Sequence, residues 1–280
     1  MRALTILYHD VINENFDESG FTGPAAARYK MTEQVFADHL ELLARSTPAP
    51  FTLVSSISPD SPELHRLLTF DDGGVSAIHI ADRIEELGWR GHFFITTDYI
   101  DTPGFLSTAQ LRDLSRRGHI IGSHSRSHPP RISELSPGEL TAEWSESIEK
   151  LSSIIDGPIT TASVPGGYYT KPVAEIAASV GIKHLFTSEP TIHTDNISGC
   201  EIFGRYNIYS GMSAETAGSI VAGKQVPRYK QKLAWNLKKT VKYVARPIWE
   251  RARTVYFGRK LTPSQQSHVG SPKESDPERD

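Results

Sequence analysis

A chain of 280 residues with 38% apolar residues and a net charge of −3 can bury one large core, and this excludes a disordered or uniformly nucleic-acid-like polypeptide. Its single cysteine, Cys200, excludes an intrachain disulfide and fits a reducing compartment. No apolar run approaches the length of a membrane span, and the one at residues 3–8 is too short for a signal peptide, so the sequence reads as cytoplasmic.

Residues 3–8 read as a first buried strand ending at Tyr8-His9-Asp10. Residues 13–29, rich in Gly, Asp and Asn, read as a long loop. Thr32 is placed to cap a helix through about residue 44, with Phe36, Leu40 and Leu43 on one face. Residues 51–54 read as a short strand, followed by a Pro/Ser-rich loop to about residue 64 and a strand ending at Phe70. A helix over 75–87 stops at Gly88, and a strand follows over 92–96. Ser107 caps a helix to Arg117, Gly118 ends it, and a strand over 119–122 delivers His124. Ser136-Pro137 opens a helix to about residue 155. A strand over 160–164, a helix over 171–180 and a strand over 183–187 come next. A last strand over 201–208 and a short helix over 213–221 complete a domain of residues 1–223.

Strand and helix alternate seven or eight times, which favours an α/β fold with a parallel sheet, closed or nearly closed. In such a barrel, sites gather at the carboxyl ends of the strands. One strand end stands out: Leu67-Leu68-Thr69-Phe70-Asp71-Asp72-Gly73-Gly74. Neighbouring residues on a regular strand point to opposite faces. Asp71 and Asp72 therefore share a pocket only if the backbone bends there, and Gly73 and Gly74 permit such a bend. Taken alone, the segment is also what a solvated turn looks like. A second segment, Gly118-His119-Ile120-Ile121-Gly122-Ser123-His124-Ser125-Arg126-Ser127-His128, carries two histidines four residues apart after a short apolar run. One carboxylate and two imidazoles form a donor set suited to a divalent transition metal with open positions.

Thr69-Phe70-Asp71-Asp72-Gly73 and His124-Ser125-Arg126-Ser127-His128 together resemble the first two motifs of the polysaccharide deacetylase family, the NodB-type carbohydrate esterases. Gly91-His92-Phe93-Phe94-Ile95 and the run from Leu111 to His119 are similar to that family as well, and the resemblance extends over roughly residues 1–220. It implies a distorted (β/α) barrel of about seven or eight strands. It also implies a divalent metal, zinc foremost, held by Asp72, His124 and His128, with Asp71 as general base. A metal lowers the pKa of a bound water and polarises a carbonyl, which is what hydrolysis of an acetamide requires. The substrate implied is an N-acetylated sugar or glycan intermediate. Two other readings stay open on the same residues: hydrolysis of a small non-sugar amide on this fold, and glycan binding without turnover.

Two features depart from the family pattern. Its third motif supplies an arginine that orients the base, together with a backbone N–H for the oxyanion. Here the segment is Ala162-Ser163-Val164-Pro165-Gly166-Gly167-Tyr168, with Ser163 in the arginine's place and Gly166 in the aromatic one. Pro165, Gly166, Gly167 and Tyr168 are the candidates for the oxyanion side, and Arg205 on the last strand is the candidate replacement for the arginine. The family's late histidine is also not evident, so His9 and His193 become candidates for the acid that protonates the leaving amine.

Residues 224–260 differ in composition, with twelve Lys and Arg against one acidic residue, Glu250. Leu233, Leu237, Val241, Val244, Ile248 and Val255 fall on one helical stripe. Trp235, Tyr243, Trp249, Tyr256 and Phe257 are interleaved, and Pro247 marks a kink. A basic amphipathic helix of this kind either packs on the barrel by its stripe or lies on an anionic membrane. The second reading would make the protein peripheral at the inner membrane face. No motif supports nucleic-acid binding. Residues 261–280 read as a disordered tail.

Overall fold

The computed structural model describes residues 1–244 apart from Glu14, Pro48 and Pro59, with side chains to residue 237. The reading of residues 245–280, with Ile248, Val255, the Pro247 kink and the tail, lies outside the described residues, as do the side chains of Val241, Tyr243 and Val244. Contacts divide the chain into a body, Met1–Lys232, and a second unit beginning at Leu233.

In chain order, β1 (Arg2–Tyr8) leads to a short β2 (Val11–Ile12), α1 (Pro24–Ala27) and β3 (Met31–Thr32). Helix α2 (Glu33–Ser46) starts where expected, with the Thr32 side chain accepting from Val35 N–H. It buries Phe36, His39, Leu40 and Leu43. Then follow β4 (Leu64–Phe70), α3 (Ala77–Glu85), β5 (His92–Ile95), α4 (Thr108–Arg116) and β6 (Ile120–Ser123). The next elements are α5 (Pro137–Ile155), β7 (Thr161–Ser163), α6 (Lys171–Ser179) and β8 (His184–Phe186). Three short strands follow, β9 (Asp195–Ile197), β10 (Cys200–Phe203) and β11 (Arg205–Asn207). Two helices, α7 (Ala214–Val221) and α8 (Gln225–Val244), close the described chain. Ser107 and Ser136 each form a reciprocal capping box, with Gln110 and Glu139, as N-terminal serines before helices do.

The strands form one nine-stranded sheet in the order β11-β1-β4-β5-β6-β7-β8-β10-β9. All neighbours are parallel except β9 on β10. This is the α/β architecture expected from the alternation, and the ladder does not close into a full barrel. The single strand expected over 201–208 is two: β10 pairs with β8, β11 pairs with β1, and Gly204 carries the chain between them. A Cβ on Gly204 would lie 2.4 Å from the carbonyl oxygen of Glu189 and from Thr191 Cγ2, so the crossing needs glycine.

Two other expectations are corrected, and one strand, β9, is additional. Residues 51–53 are irregular and lead into a 3-10 turn, Val54–Ser56. The Val54 N–H there donates to His92 Nε2 (3.0 Å) instead of to a strand. The long loop contains α1 and is pinched at its base by the parallel pairing of β2 with β3. Strand β9, read from Asp-Asn-Ile, is mostly exposed and carries no apolar alternation to announce it.

Within the sheet, alternate residues face a small interior cluster of Ala3, Val54, Leu67, Phe94, Phe186 and Phe203. On β4, Leu67 and Thr69 continue this face to Asp71; across Gly204, Phe203 continues it to Arg205. The helices bury the outer faces in two larger clusters, one with Phe36, Leu40, Ile80, Ile84 and Leu111, the other with Leu140, Trp144, Val173 and Ala177. Among the described residues no helix is long and apolar enough to cross a membrane.

Candidate active site

Asp71 and Asp72 emerge at the carboxyl end of β4. Asp71 keeps the inward direction of Thr69, and its N–H donates to Tyr8 O (3.2 Å). Strand alternation would send Asp72 outward, but its φ is 77° and that of Gly73 is 84°, so the chain turns through the left-handed region and brings the second carboxylate back beside the first. The bend thus lies at Asp72 and Gly73. Gly74 serves another purpose: a Cβ there would lie 1.9 Å from Asp10 Oδ1. Asp10 is buried and accepts hydrogen bonds from Ser19 Oγ (2.6 Å) and Ser76 Oγ (2.9 Å), tying the loop after β2 to the turn after β4. Burial raises the Asp10 carboxyl above the ordinary range, against the effect of those two hydroxyls.

His124 follows β6, and its N–H donates to Ile95 O (2.8 Å). Ser125 and His128 both have positive φ, so the chain between the two histidines folds back on itself. Glu143, on the buried face of α5, accepts from the N–H groups of Arg126 (3.0 Å) and Ser127 (2.9 Å) and from Ser127 Oγ (2.7 Å). Phe21 packs on the His128 ring at 4.8 Å between centroids and touches Tyr99 and Phe105 as well.

This folding brings Asp72, His124 and His128 together, with one donor atom from each within 4.8 Å of the others. Asp72 Oδ1 lies 3.4 Å from His124 Nε2 and 3.7 Å from His128 Nε2. Tetrahedral ligands about 2.1 Å from zinc lie about 3.4 Å apart, so two imidazoles and one carboxylate at this spacing fit a divalent cation. The other nitrogen of His124 is engaged by Ser163: Nδ1 is 2.6 Å from Ser163 Oγ and 3.1 Å from Ser163 O. Such an outer partner fixes the ring and leaves Nε2 for a ligand role.

Arg205, on β11 with β1 between it and β4, reaches Asp71 across the sheet interior. Its NH1 donates to Oδ1 at 2.7 Å and its NH2 to Oδ2 at 2.8 Å, while Nε donates to Thr187 O at 2.9 Å. The guanidinium is fully buried and packs on the Phe94 ring. Burial would raise the Asp71 carboxyl, but Arg205 and then His124 hold it below the usual carboxylate range. For Asp72 burial is likewise outweighed, by the hydrogen bond from His124 and the nearby His9, His124 and His128. Burial and the neighbouring His124 keep the His128 ring below the usual histidine range.

Residues 59–185 match the family described as polysaccharide deacetylase. Over this stretch the chain is similar to polysaccharide deacetylases. Over 119 residues it is 29% identical to a gellan lyase from a Bacillus species; the match covers 41% of this chain and 5% of that protein. The chain thus spans only a small part of that curated relative's length. Three solved structures share this fold. The deacetylase PplD of Streptococcus pyogenes has a TM-score of 0.62 at 19% identity, over 77% of this chain and 96% of that one. A polysaccharide deacetylase of Bacillus cereus has 0.63 at 17%, over 79% and 69%. IcaB of Ammonifex degensii has 0.62 at 17%, over 79% and 97%.

The remaining candidate residues divide by position. His9 follows β1 and stacks on Tyr29 (4.6 Å) beside the two carboxylates; its Nδ1 is buried with no hydrogen-bond partner among the described residues. The structure does not bring His193 to the site. It is exposed and bridges to Arg2, at the start of β1, about 20 Å along that strand from the carboxylates. Pro165, Gly166 and Gly167 form a 3-10 turn two residues beyond Ser163, at the rim, with Tyr168 half-buried after it. Sequence reasoning passes over Asp10, Glu143 and Phe21. For Glu143 a signal exists, since it is a carboxylate among Leu140, Trp144 and Leu151 on the inward stripe of α5. Asp10 and Phe21 sit in a loop with no periodicity to single them out.

Proposed function

We propose that the protein is a divalent-metal-dependent hydrolase that removes N-acetyl groups from a sugar or glycan intermediate, acting in the cytoplasm. The observation that carries this reading is the convergence of Asp72, His124 and His128 beside a separate carboxylate, Asp71, that is gripped at both oxygens by Arg205. Asp72, His124 and His128 would hold the cation, with zinc as our first choice. When bound, it makes a water acidic enough to attack at neutral pH and polarises the acetyl carbonyl.

Asp71 is the general base that takes the water's proton. Arg205 keeps it anionic and fixes its plane, so that one oxygen need not rotate to find the proton. Ser163 bridges the two parts of the site, donating to Asp71 Oδ1 (3.2 Å) and contacting His124 Nδ1. His9 is the assigned acid for the leaving amine; it stands beside the carboxylates, and its buried Nδ1 has no hydrogen-bond partner among the described residues. Within the turn Pro165–Gly167, Gly166 offers a backbone N–H to the developing oxyanion, since Pro165 has none and that of Gly167 donates to Val164 O (3.5 Å). The fold relatives in Streptococcus pyogenes and Bacillus cereus are deacetylases by name, which agrees with this chemistry.

The test is metal content and acetate release on parent protein and Asp71→Asn, with N-acetylated oligosaccharides and a nucleotide-linked N-acetyl sugar. The expected result is bound metal in both proteins and acetate from the parent alone. Metal without acetate from any N-acetyl substrate would reject deacetylation, and a panel of small non-sugar amides would then take its place. Absence of metal from protein kept away from chelators would reject the mechanism.

A further inference from the structure

Within the body, the first part of α8, residues 225–232, is held by its polar side. Arg228 Nε donates to the Tyr206 hydroxyl (3.2 Å) and its NH1 to Gly223 O (3.0 Å). The Gln231 amide pairs with the backbone of Asn207, accepting from its N–H (3.1 Å) and donating to its carbonyl (2.9 Å). The apolar residues Val226, Tyr229, Leu233 and Leu237 recur at intervals of three, four and four, so they form one row on the opposite side of the helix. They are 66%, 63%, 52% and 66% exposed. The other exposed large apolar side chains among the described residues, Phe16 and Leu87, are less so, at 47% and 39%. A helix of a globular domain ordinarily turns its apolar stripe to the core and its polar face to water; this one does the reverse.

Charge selects what covers the row. Residues 224–260 carry a surplus of eleven positive charges in a chain whose net charge is −3, so the rest of the chain is acidic. A second copy of the same face would bring like charge against like. A surface that is both apolar and negative, with room at its boundary for Tyr229 and the interleaved tryptophans, is an anionic bilayer. We propose that α8 lies in the surface of an anionic membrane, with Val226, Tyr229, Leu233 and Leu237 among the acyl chains and the lysines at the level of the phosphates.

The sheet register gives the helix's position meaning. Asn207, which Gln231 grips, lies level with Leu7 of β1, just before His9. The anchor is therefore at the end of the sheet where Asp71, Asp72 and His124 emerge. A membrane at that end suits a glycan carried on lipid; this last step rests on the deacetylase reading, whereas membrane binding does not.

The experiment is flotation of the full-length protein with vesicles of phosphatidylcholine containing about three parts in ten phosphatidylglycerol, and with phosphatidylcholine alone. The expected result is flotation with the anionic vesicles only. The variant Leu233→Glu/Leu237→Glu should lose more than about tenfold in affinity. Both side chains are exposed, so its melting temperature and its acetate release from soluble substrate should match the parent. A Lys230→Glu/Lys232→Glu variant should bind more weakly and lose salt sensitivity. Failure of the parent to float, or equal flotation of the leucine variant, would overturn the proposal. So would a dimer of the parent in sedimentation that the leucine variant dissociates, since the row would then be a subunit interface. Flotation and sedimentation do not depend on turnover, so the two proposals can fail separately.

Discussion

Arg205 and Asp71 stand 134 residues apart in sequence and meet through two parallel hydrogen bonds in the interior of the sheet. The pair is 0% and 3% exposed, so each charge depends on the other. Replacing Arg205 by alanine leaves a buried carboxylate without its partner. The expected loss is about 3–5 kcal/mol of stability by chemical denaturation and about a hundredfold or more in kcat. Arg205→Lys keeps the charge but not the two-point geometry; it should recover most of the stability and little of the rate. A lysine variant with parental kcat would show that charge alone suffices.

The three proposed metal ligands can be tested first without substrate. Zinc at a hundredfold excess over its Kd should stabilise the parent by about 2.7 kcal/mol through binding to the folded state alone. The corresponding rise in melting temperature should vanish in His128→Ala and shrink in Asp72→Asn. A chelator should remove acetate release from the parent, and added zinc should restore it. An unchanged thermal shift in His128→Ala would exclude that residue as a ligand.

What is legible in the chain follows from how far each signal reaches. Thr69 to Gly73 and His124 to His128 are local, and the alternation of elements is enough to place each at a strand end. The helix caps Thr32, Ser107 and Ser136 are local as well, and they stand where expected. The grip of Arg205 on Asp71 is only one option at the level of sequence, because Gly204 redirects the chain and only the folded arrangement shows where the next side chain points. His193 illustrates the reverse: it follows a strand and resembles a rim residue, yet its segment doubles back to pair beside Arg2. Asp10 escapes notice because its partners, Ser19, Gly20, Gly74 and Ser76, come from two separate loops.

That Asp10 cluster predicts a specific coupling. Cβ atoms at Gly20 and Gly74 would lie 2.1 Å and 1.9 Å from the two oxygens of one carboxylate. Gly74→Ala should destabilise the protein by about 2 kcal/mol or more through this overlap. Shortening the offending side chain with Asp10→Ala should cost less in the Gly74→Ala background than in the parent, by about 1 kcal/mol. Additive effects in denaturant titrations would mean that the turn relieves the contact by moving.

His92 predicts the pH dependence of stability. Its Nδ1 donates to Leu68 O (2.9 Å) and its Nε2 accepts from Val54 N–H (3.0 Å), so the neutral ring is the one that fits. Burial lowers its pKa to about 4. The unfolded chain, near 6.5, therefore binds more protons between those values, and stability falls as pH drops from about 6.5 to about 4. At about 1.4 kcal/mol per unit, the loss from this residue is on the order of 3 kcal/mol. His92→Leu should be less stable at neutral pH, with two backbone groups left unpaired, but its stability should vary less over that range. An unchanged slope would assign the acid sensitivity to other groups.

Glu143 predicts how the histidine loop is kept in register. Its carboxylate takes up two backbone N–H groups and one hydroxyl from Arg126 and Ser127, the residues between His124 and His128. Without them the loop's two left-handed residues, Ser125 and His128, would have one fewer reason to hold their conformation. Glu143→Ala should weaken zinc binding by about tenfold to a hundredfold in calorimetry, the range seen when an outer partner of a ligand is removed. Glu143→Gln retains an oxygen for the two N–H groups and should fall in between. If both variants lose stability equally while zinc affinity stays at the parental value, Glu143 supports the α5 packing and not the placement of the ligands.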